Sequence, residues 1–335
     1  MKLRSLLYLT AVPFALLAAH PALADDHVAH GAAAGPGQGP ALWKVADADT
    51  TIYLFGTVHV LPAEVEWYDA AIATALTGSD IIVTEIPMDP SSEAEMQQLT
   101  MAKGMLPQGT TLRSLLNDEQ KTQYATALSK LGGMIEAQQL AGAPAEMIAQ
   151  YQDAKAKGLV PDPGQALAAN FDPMKPWLTG LTLSILPLMQ QGYDLNSGVE
   201  KVLLAKVPNK PTGALETAEF QLAIFDTMTQ EAQIAFMMEA ATGIDEVKST
   251  LDRMVAEWAK GDADALADIM NEGMSDPAVA EALLYSRNAN WAEWIGMRLD
   301  TPGTVFIAVG AGHLAGPKSV QDYLAQKGIK VTRVK

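Results

Sequence analysis

Two short apolar runs at opposite ends of the chain stop in the same four-residue tail, and this pairing constrains the fold more than any other feature. Thr51-Ile52-Tyr53-Leu54-Phe55 stops at Gly56 and presents His59 three residues later. Thr304-Val305-Phe306-Ile307-Ala308-Val309 stops at Gly310 and presents His313 in the same way. Runs of this length, rich in β-branched and aromatic residues, read as strands. If the two tails act together, a sheet must bring the two ends of a 335-residue chain side by side.

The histidine inventory gives the tails their weight. The chain has five histidines, and His20, His27 and His30 fall in or beside an N-terminal leader, so His59 and His313 are the two that remain for the folded part. An imidazole at a strand end is neutral near pH 7 and can ligate a metal or move protons. The glycine before it lets the turning backbone approach a ligand closely or adopt positive φ. Either histidine alone reads equally well as a hydrogen-bonded loop residue; the chemical reading rests on the pair.

The leader has the form of an export signal. Lys2 and Arg4 precede an apolar stretch from Leu6 to Ala19, and Ala22-Leu23-Ala24 is an A-x-A-like cleavage site, so cleavage is expected after Ala24. Interrupted by Pro13, the stretch is short for a membrane span of about 20 residues. The expected product is periplasmic or secreted, without stable membrane insertion. With no cysteine, disulfides and lipidation at a processed cysteine are excluded. The formal charge of −16 becomes two units more negative once Lys2 and Arg4 are gone. Such a field disfavours nucleic acid and anionic lipid as partners and mildly favours cations. Residues 25–40, rich in Gly, Ala and Pro, read as a flexible tether in which His27 and His30 are incidental.

Folded structure is expected from Ala41. Leu42–Val45, a polar turn at Ala46–Asp49 and Thr51–Phe55 read as a β-hairpin. A helix from Pro62 to about Leu76 and a buried strand at Asp80–Glu85 complete a β-α-β unit, whose parallel strands gather ligands beyond their carboxyl ends. Glu85 then lies on the same edge as His59, where a carboxylate beside an imidazole suits a divalent metal or an acid/base pair, or is simply a salt-bridged strand end. Residues 91–192 turn helical, with segments at Thr111–Leu116, Glu119–Leu131, Ala145–Lys157 and Pro173–Met189 and with methionines 96, 101, 105, 134 and 147 as core fillers or groove surface. Val199–Val207 is a further helix. Lys210–Glu216 is a short strand ending in a second carboxylate, and Glu216 reads either as a strand-end partner of Glu85 or as an acid at the start of the helix Ala218–Met228. Residues 217–300 are helical, broken near Gly243, Gly261 and Gly273. Arg287 and Trp291 share the face of the last helix, where Arg287 is placed to grip a substrate carboxylate or to pair with one of the many acids. A helix from Pro317 to Lys327 and a strand at Ile329–Val334 close the chain.

Gly56-Thr57-Val58-His59-Val60, Thr84-Glu85-Ile86, Lys175-Pro176-Trp177, Leu215-Glu216-Thr217, Arg287-Asn288-x-x-Trp291 and Val309-Gly310-Ala311-Gly312-His313-Leu314-x-Gly316-Pro317 together resemble the TraB/GumN family over about residues 42–335. That family includes the animal TIKI proteases. The resemblance implies a fold shared with erythromycin esterases and the haem-binding ChaN group, and, in the TIKI branch, a peptidase supported by manganese or cobalt. By motif position it implies His59, His313 and Glu85 as metal-site residues and Glu85, Glu216, Arg287 and Asn288 as catalytic candidates. The helical middle carries no motif that would transfer substrate choice.

The expected fold is therefore α/β: one domain over residues 41–335 with a central mixed sheet, a parallel β-α-β unit and a large helical insertion over about 91–300. The expected function is that of a metallohydrolase, most concretely a peptidase acting on a peptide or small-molecule substrate. A divalent ion, manganese or cobalt with zinc as a further option, would be held by His59, His313 and a carboxylate, with Glu85 or Glu216 accepting the proton of its water. The competing expectation is a haem- or metal-ligand-binding protein of the ChaN kind, with the same histidines and no activated water. The oligomeric state is not legible in the sequence.

Overall fold

The computed structural model describes residues 39–273 and 277–335. The leader and nearly all of the 25–40 tether lie outside the described residues. Contacts divide the chain into two units, one formed by residues 101–192 and 225–248 and one by residues 39–100, 193–224 and 249–335.

The second unit holds the sheet and both Gly-x-x-His tails. Its hairpin joins strand β1 (Leu42–Ala46) to β2 (Thr50–Thr57), in register Val45 opposite Ile52. Asp47 closes the turn, its Oδ1 accepting from the Asp49 and Thr50 amides, as short acidic side chains do in tight turns. The chain then runs through β3 (Leu61–Pro62), β4 (Ile81–Thr84), β5 (Tyr193–Asp194), β6 (Thr212–Ala214), β7 (Gly303–Gly310) and β8 (Val331–Arg333). Six of these form one mixed sheet in the order β6-β4-β7-β2-β1-β8, and β3 pairs with β5 apart from it. The β-α-β unit is present, but its strands are not neighbours: β7 lies between β2 and β4 and runs parallel to both. Val305 to Val309 are all buried, as a central strand covered on both faces requires. Around them pack Val45, Ile52, Leu54, Val83, Trp291, Ile295, Leu314 and Leu324.

Three helix starts differ from the sequence expectation. Residues Ala70–Gly78, not Pro62 onward, form the first helix, because Asp69 caps it by accepting from the Ala71 and Ile72 amides. Pro62 instead sits in β3 opposite Tyr193, where a residue without an N–H is tolerated. The helix that follows His313 begins at Val320 behind a Ser319 cap, and Lys318 before it has φ 57°. Pro176 opens the helix Pro176–Met189 from its first turn.

The other unit is helical. Asp118–Leu140, Pro163–Phe171, Pro176–Met189 and Gln230–Thr242 surround a core that includes Leu112, Tyr124, Leu128, Leu131, Phe171 and Met237. Two of these helices cross at paired glycines: a Cβ on Gly132 would lie 2.8 Å from the Gly164 nitrogen, and one on Gly164 would lie 2.9 Å from Ser129 Cα. The helix Ala145–Ala156 forms as its spacing suggests but buries none of its residues.

Candidate functional site

The parallel pairing of β2 with β7 sets Gly56 beside Val309 and Thr57 beside Gly310, so the two Gly-x-x-His tails leave adjacent strands at one edge of the sheet. The first glycine is demanded by space: a Cβ on Gly56 would lie 3.0 Å from Ala311 Cα and 3.1 Å from Ala311 Cβ. Close approach of the two turns is thus what this glycine permits.

Glu85 and Glu216 are brought together by extending the β4–β6 ladder past the strand ends. The Leu215 amide donates to the Thr84 carbonyl at 3.0 Å and the Glu216 amide to the Glu85 carbonyl at 2.8 Å. Arg287 comes from the helix Ser286–Arg298, which buries Arg287, Asn288, Trp291, Ala292 and Ile295 on one face. A π-helical turn, Glu281–Tyr285, precedes it, and such turns are frequent at functional sites.

Every N–H of the Arg287 guanidinium has an acceptor. Nε donates to Glu216 at 2.9 Å; one terminal nitrogen donates to Glu85 Oε2 at 2.5 Å and Glu216 Oε2 at 2.9 Å; the other reaches the Leu283 carbonyl at 2.9 Å and His313 Nε2 at 3.2 Å. The Gly310 amide donates to Glu85 Oε1 at 2.7 Å, Gln221 bridges Glu85 and Glu216 at 3.0 Å each, and Trp291 Nε1 donates to Glu216 Oε1 at 2.9 Å. Burial pushes the Glu85 carboxyl up, Arg287 opposes it, and the balance stays above the usual carboxylate value.

His313 is fully buried and committed on both nitrogens. A guanidinium only donates, so Nε2 accepts from Arg287, and Nδ1 carries the proton that goes to Asn288 Oδ1 at 2.6 Å. Asn288 in turn donates to the Lys318 carbonyl at 2.8 Å. The Trp291 ring lies 4.2 Å from the imidazole, centre to centre, and the Arg287 Cζ stands 4.9 Å from the Trp291 ring centre.

His59 has a different environment. Its Nδ1 meets Glu200 Oε1 at 2.5 Å, and Thr57 donates its hydroxyl to the same oxygen at 2.5 Å. Glu200 stands in the first turn of the helix Val199–Lys206. That helix is fixed to the end of β2, since the Val199 amide donates to the Val58 carbonyl at 3.0 Å and a Cβ on Gly198 would run into the His59 carbonyl. Burial favours the neutral imidazole, but the Glu200 carboxylate outweighs it and raises the His59 pKa. Conversely, burial would raise Glu200, but the charge of His59 and the hydrogen bonds from His59 and Thr57 hold it below its usual value. Glu85 is near enough for its charge to act on His59 as well. Nε2 of His59 is buried and, among the described residues, has no hydrogen-bond partner.

The structure therefore joins Glu85, Glu216, Arg287, Asn288 and His313 in one network and sets His59 in a pair with Glu200. Glu200 and Gln221 belong to the site without any motif in the sequence that marks them. The available signal for Glu200 was slight: an acid between Val199 and Val202, three residues before Leu203, on the face that the helix buries.

The model of the TraB/PrgY/gumN family matches residues 41–333, nearly the whole of the described chain. The chain belongs to this family. It is also similar to the metalloprotease TIKI1 of Danio rerio, with 24% identity over 327 residues, covering 87% of this chain. The match takes in 62% of the length of TIKI1. No solved structure matches the chain.

The relative's name raises the question of whether these residues fit a divalent ion. Among the described residues no group of three or more His, Asp or Glu side chains is arranged to hold one. His59 Nε2 is a donor on offer, but the lone pair of His313 Nε2 points to Arg287, and both Glu85 oxygens accept from Arg287, Gln221 or Gly310. An ion between His313 and Glu85 would have to displace a guanidinium from them. In this arrangement the set His59, His313 and Glu85 does not fit a shared ion. Among the described residues no helix is long and apolar enough to cross a membrane.

Proposed function

We propose that this TraB/PrgY/gumN protein is an exported hydrolase of peptide or related acyl bonds, and that His59 Nε2 is its working atom. The observation that carries this is the asymmetry of the His59 ring, with one nitrogen tied to Glu200 and the other buried and, among the described residues, without a partner. A buried polar atom without a partner is costly in a folded protein, and one on an imidazole is best accounted for by a group that arrives with the substrate. In the neutral ring Nε2 holds the lone pair. It is suited to take a proton from water as the water oxygen bonds to a carbonyl carbon, and to return that proton to the leaving nitrogen or oxygen as the acyl bond breaks. Glu200 faces the imidazolium formed in between. Similarity to TIKI1 supports a peptide as the substrate class.

Incubation of the purified protein with a peptide library, with chelator and then with added manganese or cobalt, tests the reading. Cleavage that disappears in His59→Ala is the expected result. Absence of cleavage under every metal condition, with an absorbance band in the haem region of the isolated protein, would replace it by the ligand-binding reading, in which His59 would help hold the bound group.

A further inference from the structure

We propose that Glu200 is a positioning residue for His59: through Nδ1 it fixes the ring in the tautomer and orientation that leave Nε2 as the basic nitrogen. The role assigned to Nε2 rests on the reading above, but the tautomer does not. An ionised carboxylate only accepts, so a 2.5 Å contact between Glu200 Oε1 and His59 Nδ1 puts the proton on Nδ1. The carboxylate itself has little freedom. Thr57 donates to the same oxygen at 2.5 Å, both Glu200 and Thr57 are buried, and the helix carrying Glu200 is fixed to β2 by the Val199 amide. Gly198 lets that helix start directly against the His59 carbonyl, where a Cβ has no room. Thr57 and His59 leave one strand, and Glu200 is delivered from a segment more than a hundred residues away to meet both. Orientation of an imidazole by a carboxylate on its far nitrogen serves a proton-transferring histidine and a metal-binding one alike. The assignment therefore holds whichever chemistry Nε2 performs.

The test is nitrogen-15 NMR of the mature protein, the His59 signals being identified by their loss in His59→Gln, together with the kinetics of any peptide cleaved in the library screen. At a pH high enough to leave the ring neutral, wild type should show His59 as the Nδ1–H tautomer. Glu200→Ala should shift the ring toward the Nε2–H form and lower kcat by about 10–100-fold, the usual cost of losing such a partner, with KM changed much less. Glu200→Gln retains a carbonyl that accepts from Nδ1, and should restore the tautomer and part of kcat. If Glu200→Ala fails to fold, Glu200→Gln and Glu200→Met carry the test, Met removing the acceptor from Nδ1 while filling its space. Glu200→Ala or Glu200→Met that keeps the wild-type tautomer, or Glu200→Gln that loses it as Ala does, overturns the proposal. A protein that cleaves nothing yet shows these tautomer shifts refutes the hydrolase reading and leaves the positioning role standing.

Discussion

Arg287→Met strips the central network of its cation while keeping an apolar stem in place. In the wild type the guanidinium is fully buried and faces Glu85, which is 2% exposed, and Glu216. After the substitution Glu85 keeps the Gly310 amide and Gln221, and Glu216 keeps Trp291 and Gln221. Neither keeps a permanent cation in the network, and for Glu85 the charge of a protonated His59 offsets the loss in part. Removing one member of a buried ion pair costs about 3–5 kcal/mol, because the other charge is left uncompensated. That loss is the expectation at pH 7. Its pH dependence follows from Glu85, whose carboxyl burial already holds above the usual value against the pull of Arg287; without Arg287 it rises further. A carboxyl with a folded-state pKa above its unfolded one binds its proton more tightly in the folded protein. Its contribution is therefore fully present below the unfolded pKa and is lost as pH climbs through the folded one. The defect should be largest at pH 7 and above and should shrink toward pH 5. Urea unfolding followed by far-ultraviolet circular dichroism at both pH values measures this. A loss under about 1 kcal/mol at pH 7, or one of equal size at pH 5, would refute an uncompensated carboxylate pair as the cause. The triple variant Arg287→Met with Glu85→Gln and Glu216→Gln should recover most of the loss.

Other expectations follow from the same geometry. His59→Gln should lower peptide hydrolysis by about 10²–10⁴-fold, the usual contribution of a positioned acid or base, with an unchanged circular dichroism spectrum. Gly198→Ala should destabilise by about 1–3 kcal/mol, as overpacking does, because its Cβ meets the His59 carbonyl. Gly133→Ala, in the helix Asp118–Leu140 with nothing within 4 Å of its Cβ, should instead gain about 0.5–1 kcal/mol; thermal unfolding distinguishes the two. Intact-mass measurement of the exported protein should place its first residue at Asp25.

The sheet was legible because its strands announce themselves locally. Ile52 to Phe55, Ile81 to Val83 and Val305 to Val309 are short buried runs bounded by turn residues, and a parallel sheet then puts their carboxyl ends on one edge. Strand order was not legible, since nothing in β2 or β4 says that a strand from the far end of the chain will come between them. Pro62 carries only the general signal of a proline at a first turn, whereas the Asp69 cap further on satisfies real donors and sets the helix start. For Glu216 the strand-end reading describes its backbone, which continues the ladder onto the Glu85 carbonyl. The face that Arg287 shares with Trp291 suits a substrate carboxylate or an acid of the chain equally; its donors go to Glu85, Glu216, His313 and a carbonyl. Glu200 stayed hidden because an acid in the first turn of a helix has an ordinary explanation in the helix dipole. Only the fold reveals that it meets Thr57 and His59.

The two Gly-x-x-His tails are alike in sequence and unlike in use. Both imidazoles are buried, both leave parallel neighbouring strands, and both carry a side-chain oxygen on Nδ1. What separates them is the charge of that oxygen and the partner on Nε2. His313 has a neutral amide oxygen on Nδ1 and the Arg287 guanidinium on Nε2, so both of its nitrogens are already committed. His59 has a carboxylate on Nδ1 and, among the described residues, no partner on Nε2, which favours a ring able to accept and hold a proton. The Arg287 network is also a poor source of stability, since apolar residues of similar volume often replace buried ion pairs at no cost. Its geometric effect is definite: it holds Glu85 against the Gly310 amide and His313 against Asn288, and so fixes the turn that abuts Gly56 at the root of the His59 tail. One tail is thus built as a rigid support and the other as the reactive end.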